Sequence, residues 1–118
     1  MNKQQAVTAL AALGHEQRLG IFRLLVRQGP SGMPAGEIAA SVKATPTGAS
    51  FHLKELDRAG LIRATRDGRY VRYAAHYEGM RQLLEFLTED CCQGQPELCG
   101  KAFAKPNKVL AGRGGVSR

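Results

Sequence analysis

The chain has 118 residues, room for one domain with a modest core, and a core of this size is often completed by a second copy. Seventeen Lys and Arg against ten acids leave a formal charge of +7, which suits a polyanionic partner. No apolar run approaches the ~20 residues of a bilayer-spanning helix, which excludes a membrane protein.

Ala6, Val7, Leu10, Ala11 and Leu13 recur at helical spacing and Gly14 offers a stop, which predicts a first helix. Thr8 interrupts this run and a charged amphipathic segment follows it, so it reads as a helix of a cytoplasmic protein and not as a signal peptide. A second helix is expected over 16–27, with Leu19, Phe22, Leu25 and Val26 on one face and Arg18, Arg23 and Arg27 mostly on the others. The run QGPSG ends it, since Pro and Gly break helical hydrogen bonding. A third helix over 34–42 opens with Pro34 in its first turn and is too short to persist without packing.

Thr45 is then a good N-cap and Pro46 a good first helical residue, predicting a helix over 46–59 that Gly60 stops. Its buried side carries Ala49, Leu53 and Leu56, which leaves Thr47, Ser50, Phe51 and Lys54 on the other. Alternating strands over 61–66 and 69–74 flank Asp67-Gly68, a tight-hairpin signal. A last helix over 77–89 sets Met80, Leu83, Leu84 and Leu87 at i, i+3, i+4 and i+7. The tail over 101–118 is basic, free of acids and glycine-containing, and is expected to be flexible.

A short helix, a turn, and a second helix with an exposed polar N-terminal half make a helix-turn-helix, and the basic hairpin adds a wing. The expected fold class is therefore mainly α with a β-hairpin wing (α+β), a winged helix-turn-helix. The helix from Pro46 would enter the major groove of double-stranded DNA, with Thr47, Ser50 and Phe51 near base edges and phosphates and Lys54 on a phosphate. A hydroxyl can donate or accept at base edges, an aromatic ring can touch a thymine methyl, and a helix N-terminus favours phosphate. Arg66 and Arg69, flanking the hairpin tip, would reach the backbone or the minor groove. The plainer alternative is a solvated charged face. Cap, helix, stop and basic hairpin occurring in the required order favours DNA. His52 is read as a packed or hydrogen-bonded histidine. Tyr70, Tyr73 and Tyr77 are read as serving the hairpin and its packing, and His15 and His76 as structural.

The segments EQRLGIFRLL (16–25), SFHLKELDRAGLI (50–62) and RDGRYVRY (66–73) resemble the ArsR/SmtB metal- and metalloid-responsive winged-helix repressors, over about residues 10–90. The resemblance implies a homodimer, joined through its first and last helices, on an inverted-repeat operator. Apolar stripes on both terminal helices, more than one small core can bury, agree with it. Residues 1–90 would then be the DNA-binding and dimerisation domain, followed by a cysteine segment at 91–100 and the basic tail at 101–118.

The three cysteines, Cys91, Cys92 and Cys99, are confined to nine residues. An odd, clustered set is a poor disulfide framework, and adjacent cysteines could bond only through a strained ring, so reduced thiols for ligation or redox chemistry are expected. Many family members carry Cys-x-Cys on the helix before the recognition helix, and residues 34–42 contain none. Others hold zinc through Asp and His on the last helix, and residues 77–90 contain no His. TEDCCQGQPELCG instead resembles the arsenic-responsive subgroup whose three thiols follow the last helix. This implies trivalent arsenic or antimony as inducer at Cys91, Cys92 and Cys99, with no organic cofactor.

Three thiolates satisfy a soft, three-coordinate metalloid, whereas structural zinc wants four ligands. Gly94 and Pro96 allow Cys99 to fold back, which favours a site within one chain, with donation across the dimer left open. Cadmium, lead or zinc completed by Asp90, Glu97 or water is an alternative, as is an oxidant or reactive sulfur species sensed by the same thiols. A thiol enzyme or metalloid carrier is remote, with no Cys-x-x-Cys, no catalytic constellation and no phosphate loop. The expected function is thus a non-enzymatic repressor released from its operator by the metalloid, derepressing resistance genes.

Overall fold

A computed structural model describes residues 1–89 of the chain, so Cys91, Cys92, Cys99 and the basic tail lie outside the described residues. Contacts divide the chain into a unit Met1–Phe86 and a second unit from Leu87, whose described residues complete the last helix. In order the elements are α1 Lys3–Leu13, α2 Glu16–Gln28, β1 Met33–Pro34, α3 Ala35–Val42, α4 Pro46–Arg58, β2 Ile62–Asp67, β3 Tyr70–Ala75 and α5 Tyr77–Thr88. Among the described residues, five helices and a three-stranded antiparallel sheet make the winged helix-turn-helix expected from the sequence.

α1 begins earlier than its apolar pattern, because Asn2 and Gln5 form a reciprocal capping box: the Asn2 side chain accepts from the Gln5 N–H and the Gln5 side chain from the Asn2 N–H, both at 2.8 Å. Only part of its apolar pattern faces the core. Ala6, Ala9 and Ala12 are buried, while Val7 and Leu10 are 57% and 43% exposed. Small alanines let α1 lie close to the body, and its larger side chains therefore point outward.

The core is built from Ile21 and Leu25 of α2, Ile38 of α3, Leu53 and Leu56 of α4, and Leu61 and Ile62 leading into β2, all fully buried. Burying a side chain of this size contributes ~1.5–3 kcal/mol, so these residues dominate the stability of the unit. On α2, Leu19 is exposed and Ile21 takes the core position. On α5, Leu83 is buried and Leu84 lies on the exposed side.

The two-residue strand β1 was not expected. It pairs with β3 through Met33↔Tyr73 and Pro34↔Arg72, giving the order β1-β3-β2. An edge strand tolerates proline because the missing N–H can face away from the ladder. Pro34 accordingly has extended geometry and is the N-cap of α3, not a residue of its first turn. The hairpin loop is displaced by one residue from the expected Asp67-Gly68: Asp67 pairs with Tyr70, and Gly68-Arg69 form the loop. Among the loop residues only Gly68 has positive φ, at 64°, which fits a turn with glycine at its first central position.

α5 is seated against the α4–β2 connection. The His76 Nδ1–H donates to the Gly60 carbonyl at 3.0 Å, and the Tyr77 hydroxyl donates to the Val26 carbonyl at 3.2 Å. Gly79 is buried here, and a Cβ at this position would fall inside van der Waals contact with the Gly60 carbonyl oxygen. Gly79→Ala is therefore expected to destabilise the protein by ~1–3 kcal/mol in urea unfolding. Gly36→Ala, also in a helix but with open space around its Cβ, is expected to stabilise by ~0.5–1 kcal/mol.

Candidate nucleic-acid interface

The approach of α4 is set by the turn before it. Lys43 caps α3 in the left-handed region at φ 57°, and the Ala44 N–H donates to the Ala39 carbonyl at 2.9 Å. Thr45 then accepts the Gly48 N–H on Oγ1 at 3.0 Å, and Pro46 opens the helix. α4 buries Ala49, His52, Leu53 and Leu56, as its periodicity required for the three apolar positions. Thr47, Ser50, Phe51 and Lys54 are all exposed, and with Pro46 they line one open depression of about 450 Å³. Phe51 is 55% exposed, an unusual position for an aromatic ring with no polar atom.

The wing leaves the body immediately after Ile62. Every residue from 63 to 70 is exposed, so both faces of the ribbon are solvated near its tip. Arg66 and Arg69 lie in this exposed stretch, as the sequence indicated, and Arg63 joins them. Arg72 is instead tied down, its Nε donating to the Ser31 carbonyl at 3.0 Å and its guanidinium to the Gly32 carbonyl at 2.9 Å. Tyr73 packs on the core and Tyr77 bonds to α2, in keeping with packing roles. Tyr70 does not: it is 69% exposed opposite Asp67 at the loop, because a residue closing a hairpin tip stands too far out to reach the core.

Behind the α4 face lies a polar cluster on α2 and its N-cap. His52 is 7% exposed; its Nδ1 accepts from Arg18 Nε at 3.2 Å and its Nε2 lies 3.1 Å from Gln17 Oε1. A carbonyl oxygen can only accept, so Nε2 carries the proton and the neutral ring is satisfied at both nitrogens. The His15 ring lies 4.6 Å away, and the Arg18 guanidinium sits 5.6 Å from the Phe51 ring centroid. Burial of the ring, helped by His15 and then Arg18, holds the His52 pKa below the usual histidine value. His52 is thus packed and hydrogen-bonded, as expected. Its partners Gln17 and Arg18 had no signal of their own in the sequence beyond the amphipathic pattern of α2.

Among the described residues, no three His, Cys, Asp or Glu side chains gather into a metal site. The cysteine set lies outside those residues. No described helix is long and apolar enough to cross a membrane.

A helix-turn-helix domain family matches residues 13–64, from the end of α1 through α4 into β2. The chain is 30% identical over 98 residues to an uncharacterized HTH-type transcriptional regulator, YbzH, of Bacillus subtilis, covering 73% of this chain and 98% of that protein. It is 27% identical over 92 residues to the transcriptional activator HlyU of Vibrio cholerae, covering 78% and 82% respectively. Among solved structures, it is similar to the homodimeric winged helix-turn-helix DNA-binding domain of a possible ArsR-family transcriptional regulator from Mycobacterium bovis. The TM-score is 0.61 at 26% identity, over 78% of this chain and 83% of that one.

Proposed function

From the premise that this chain belongs to the HTH-type transcriptional regulators, which are DNA-binding proteins and not enzymes, we propose that it is an ArsR-type operator-binding repressor released by trivalent arsenic or antimony. The observation that carries the DNA-reading part is the exposed face of α4, where Thr47, Ser50, Phe51 and Lys54 line one depression. In this reading α4 enters the major groove, Ser50 and Phe51 meet base edges, Thr47 and Lys54 hold phosphates, and Arg66 and Arg69 follow the adjacent backbone or minor groove.

The working unit is a homodimer. Val7 and Leu10 on the outer face of α1 supply apolar surface for a second copy, and the Mycobacterium bovis relative is a homodimer. Two-fold symmetry then calls for an inverted repeat with half-site centres about 34–36 Å apart. The inducer part rests on the chemistry of Cys91, Cys92 and Cys99, which come within eleven residues after the last helix in sequence. Three thiolates from one short segment suit a pyramidal metalloid. A coupling of ~1–3 kcal/mol between that site and the DNA face would weaken operator binding 5- to 150-fold.

Selection of duplexes from a random-sequence library, followed by fluorescence anisotropy with and without arsenite, tests this reading. The expected product is an inverted repeat bound by a dimer and released by arsenite. Failure to enrich any sequence, or binding that arsenite leaves unchanged, overturns it.

A further inference from the structure

We propose that Arg18 and His52 are positioning residues that hold Phe51 in its reading orientation, and that protonation of His52 releases this hold and lowers discrimination for specific DNA. The proposal rests on the DNA-reading role of the α4 face and adds a pH-sensitive support behind it.

The neutral imidazole of His52 uses both nitrogens: the Nε2 proton goes to Gln17 and the Nδ1 lone pair takes the Arg18 Nε–H. Arg18 then spans two environments, bonded to a buried ring on one side and set over the exposed Phe51 ring on the other. Phe51 also meets the His52 ring edge-on at 5.8 Å. A proton on Nδ1 turns the acceptor into a donor facing another donor, and sets a cation beside the Arg18 guanidinium and the His15 ring. His52 cannot relieve this by turning into water, since it is seated between α4 and α2. Arg18 must leave instead, and Phe51 loses the cation above its face.

The surrounding charges leave this cluster as the one that responds. Of the elements packed on α4, α1 and α3 carry only Lys3 and Glu37, both exposed; α2 supplies Arg18, with Glu16, Arg23 and Arg27 exposed to solvent, and its N-cap supplies His15. On β2, Arg63, Arg66 and Asp67 are exposed along the wing, and on α4 itself Lys54 and Asp57 are exposed and Glu55 pairs with Arg58 at 3.5 Å. Because the folded protein holds the His52 pKa below the ordinary 6.5, the loss sets in as pH falls through and beneath that value.

Acid also adds positive charge and strengthens binding to any DNA, so the informative quantity is the ratio of affinities for the selected duplex and a scrambled duplex of equal length. For wild type, at constant ionic strength, this ratio is expected to fall by roughly two- to fivefold as pH is lowered from about 8 to well below 6.5, down to the lowest pH at which the protein stays folded, the size of the lost cation–π contact. His52→Asn, whose side-chain oxygen can still accept from Arg18 but does not titrate, is expected to keep the high ratio across the range. Arg18→Met is expected to give a low, pH-independent ratio. His15→Asn is expected to retain the fall.

A flat wild-type profile, or a fall that survives in His52→Asn, overturns the proposal while leaving the regulator reading intact. Lack of preference for the selected duplex at any pH overturns both. Should His52→Asn fail to fold, the Phe51 ring resonances of wild type decide the matter. Shifts that track the His52 titration support the proposal, and shifts that ignore it overturn it.

Discussion

Changing Ser50 and Phe51 together to alanine is expected to lower the preference for the selected duplex by roughly 10- to 100-fold while leaving affinity for a scrambled duplex nearly unchanged. Both side chains are exposed on α4 and neither supports the core, so the variant should melt close to wild type. What it loses is a hydroxyl able to bond a base edge and a ring able to cover a thymine methyl. Lys54→Ala should behave differently, weakening selected and scrambled duplexes alike and lowering the slope of log affinity against log salt by ~1. The double change Arg66→Ala with Arg69→Ala should lower that slope by ~2 if both arginines lie on phosphates. Anisotropy over a salt series separates the two classes. Equal losses on both duplexes for the Ser50 and Phe51 variant would remove α4 as the reader.

Serine at all three of Cys91, Cys92 and Cys99 is expected to preserve DNA binding in the metalloid-free state and to abolish release by arsenite, a loss of the whole 5- to 150-fold response. The asymmetry follows from placement along the chain: the proposed reader occupies residues 46–69 and the thiols come after the last helix in sequence. Each single serine leaves two thiolates, which cannot complete a pyramidal three-sulfur shell, so each should blunt the response by itself. Antimonite should act like arsenite, with zinc weaker because it wants a fourth ligand. Release of DNA by mild peroxide, with the loss of two hydrogens by mass and no arsenite response, would instead favour the thiols as an oxidant sensor. Release by arsenite in the triple-serine protein would remove the cysteines from the mechanism.

How far such a chain can be read in advance depends on how local each signal is. α4 was legible because Thr45, Pro46 and Gly60 mark its ends and its apolar positions are large; the wing was legible because a glycine turn separates two alternating runs. The loop slipped by one residue because Asp-Gly and Gly-Arg are both workable two-residue turns, and the ladder from Ile62↔Ala75 to Asp67↔Tyr70 selects the second. β1 was illegible because two residues have no period, and its partner Tyr73 is far along the chain. The inward face of α1 was not legible, because its periodicity marks the large apolar residues, whereas close helix approach selects Ala6, Ala9 and Ala12. At the candidate interface, the exposed α4 set was placed correctly from spacing alone. Gln17 and Arg18 were not, because their contacts to His52 join residues 35 and 34 positions apart and nothing local announces them.

The central claim is that the α4 face reads DNA, and the crystal structure of the protein on its selected duplex tests it most directly. The account predicts a dimer with each α4 in the major groove, Ser50 and Phe51 at base edges, Lys54 at a phosphate, and the wing along the neighbouring backbone or minor groove. A complex in which the duplex lies on another surface, with Phe51 facing solvent, would contradict it.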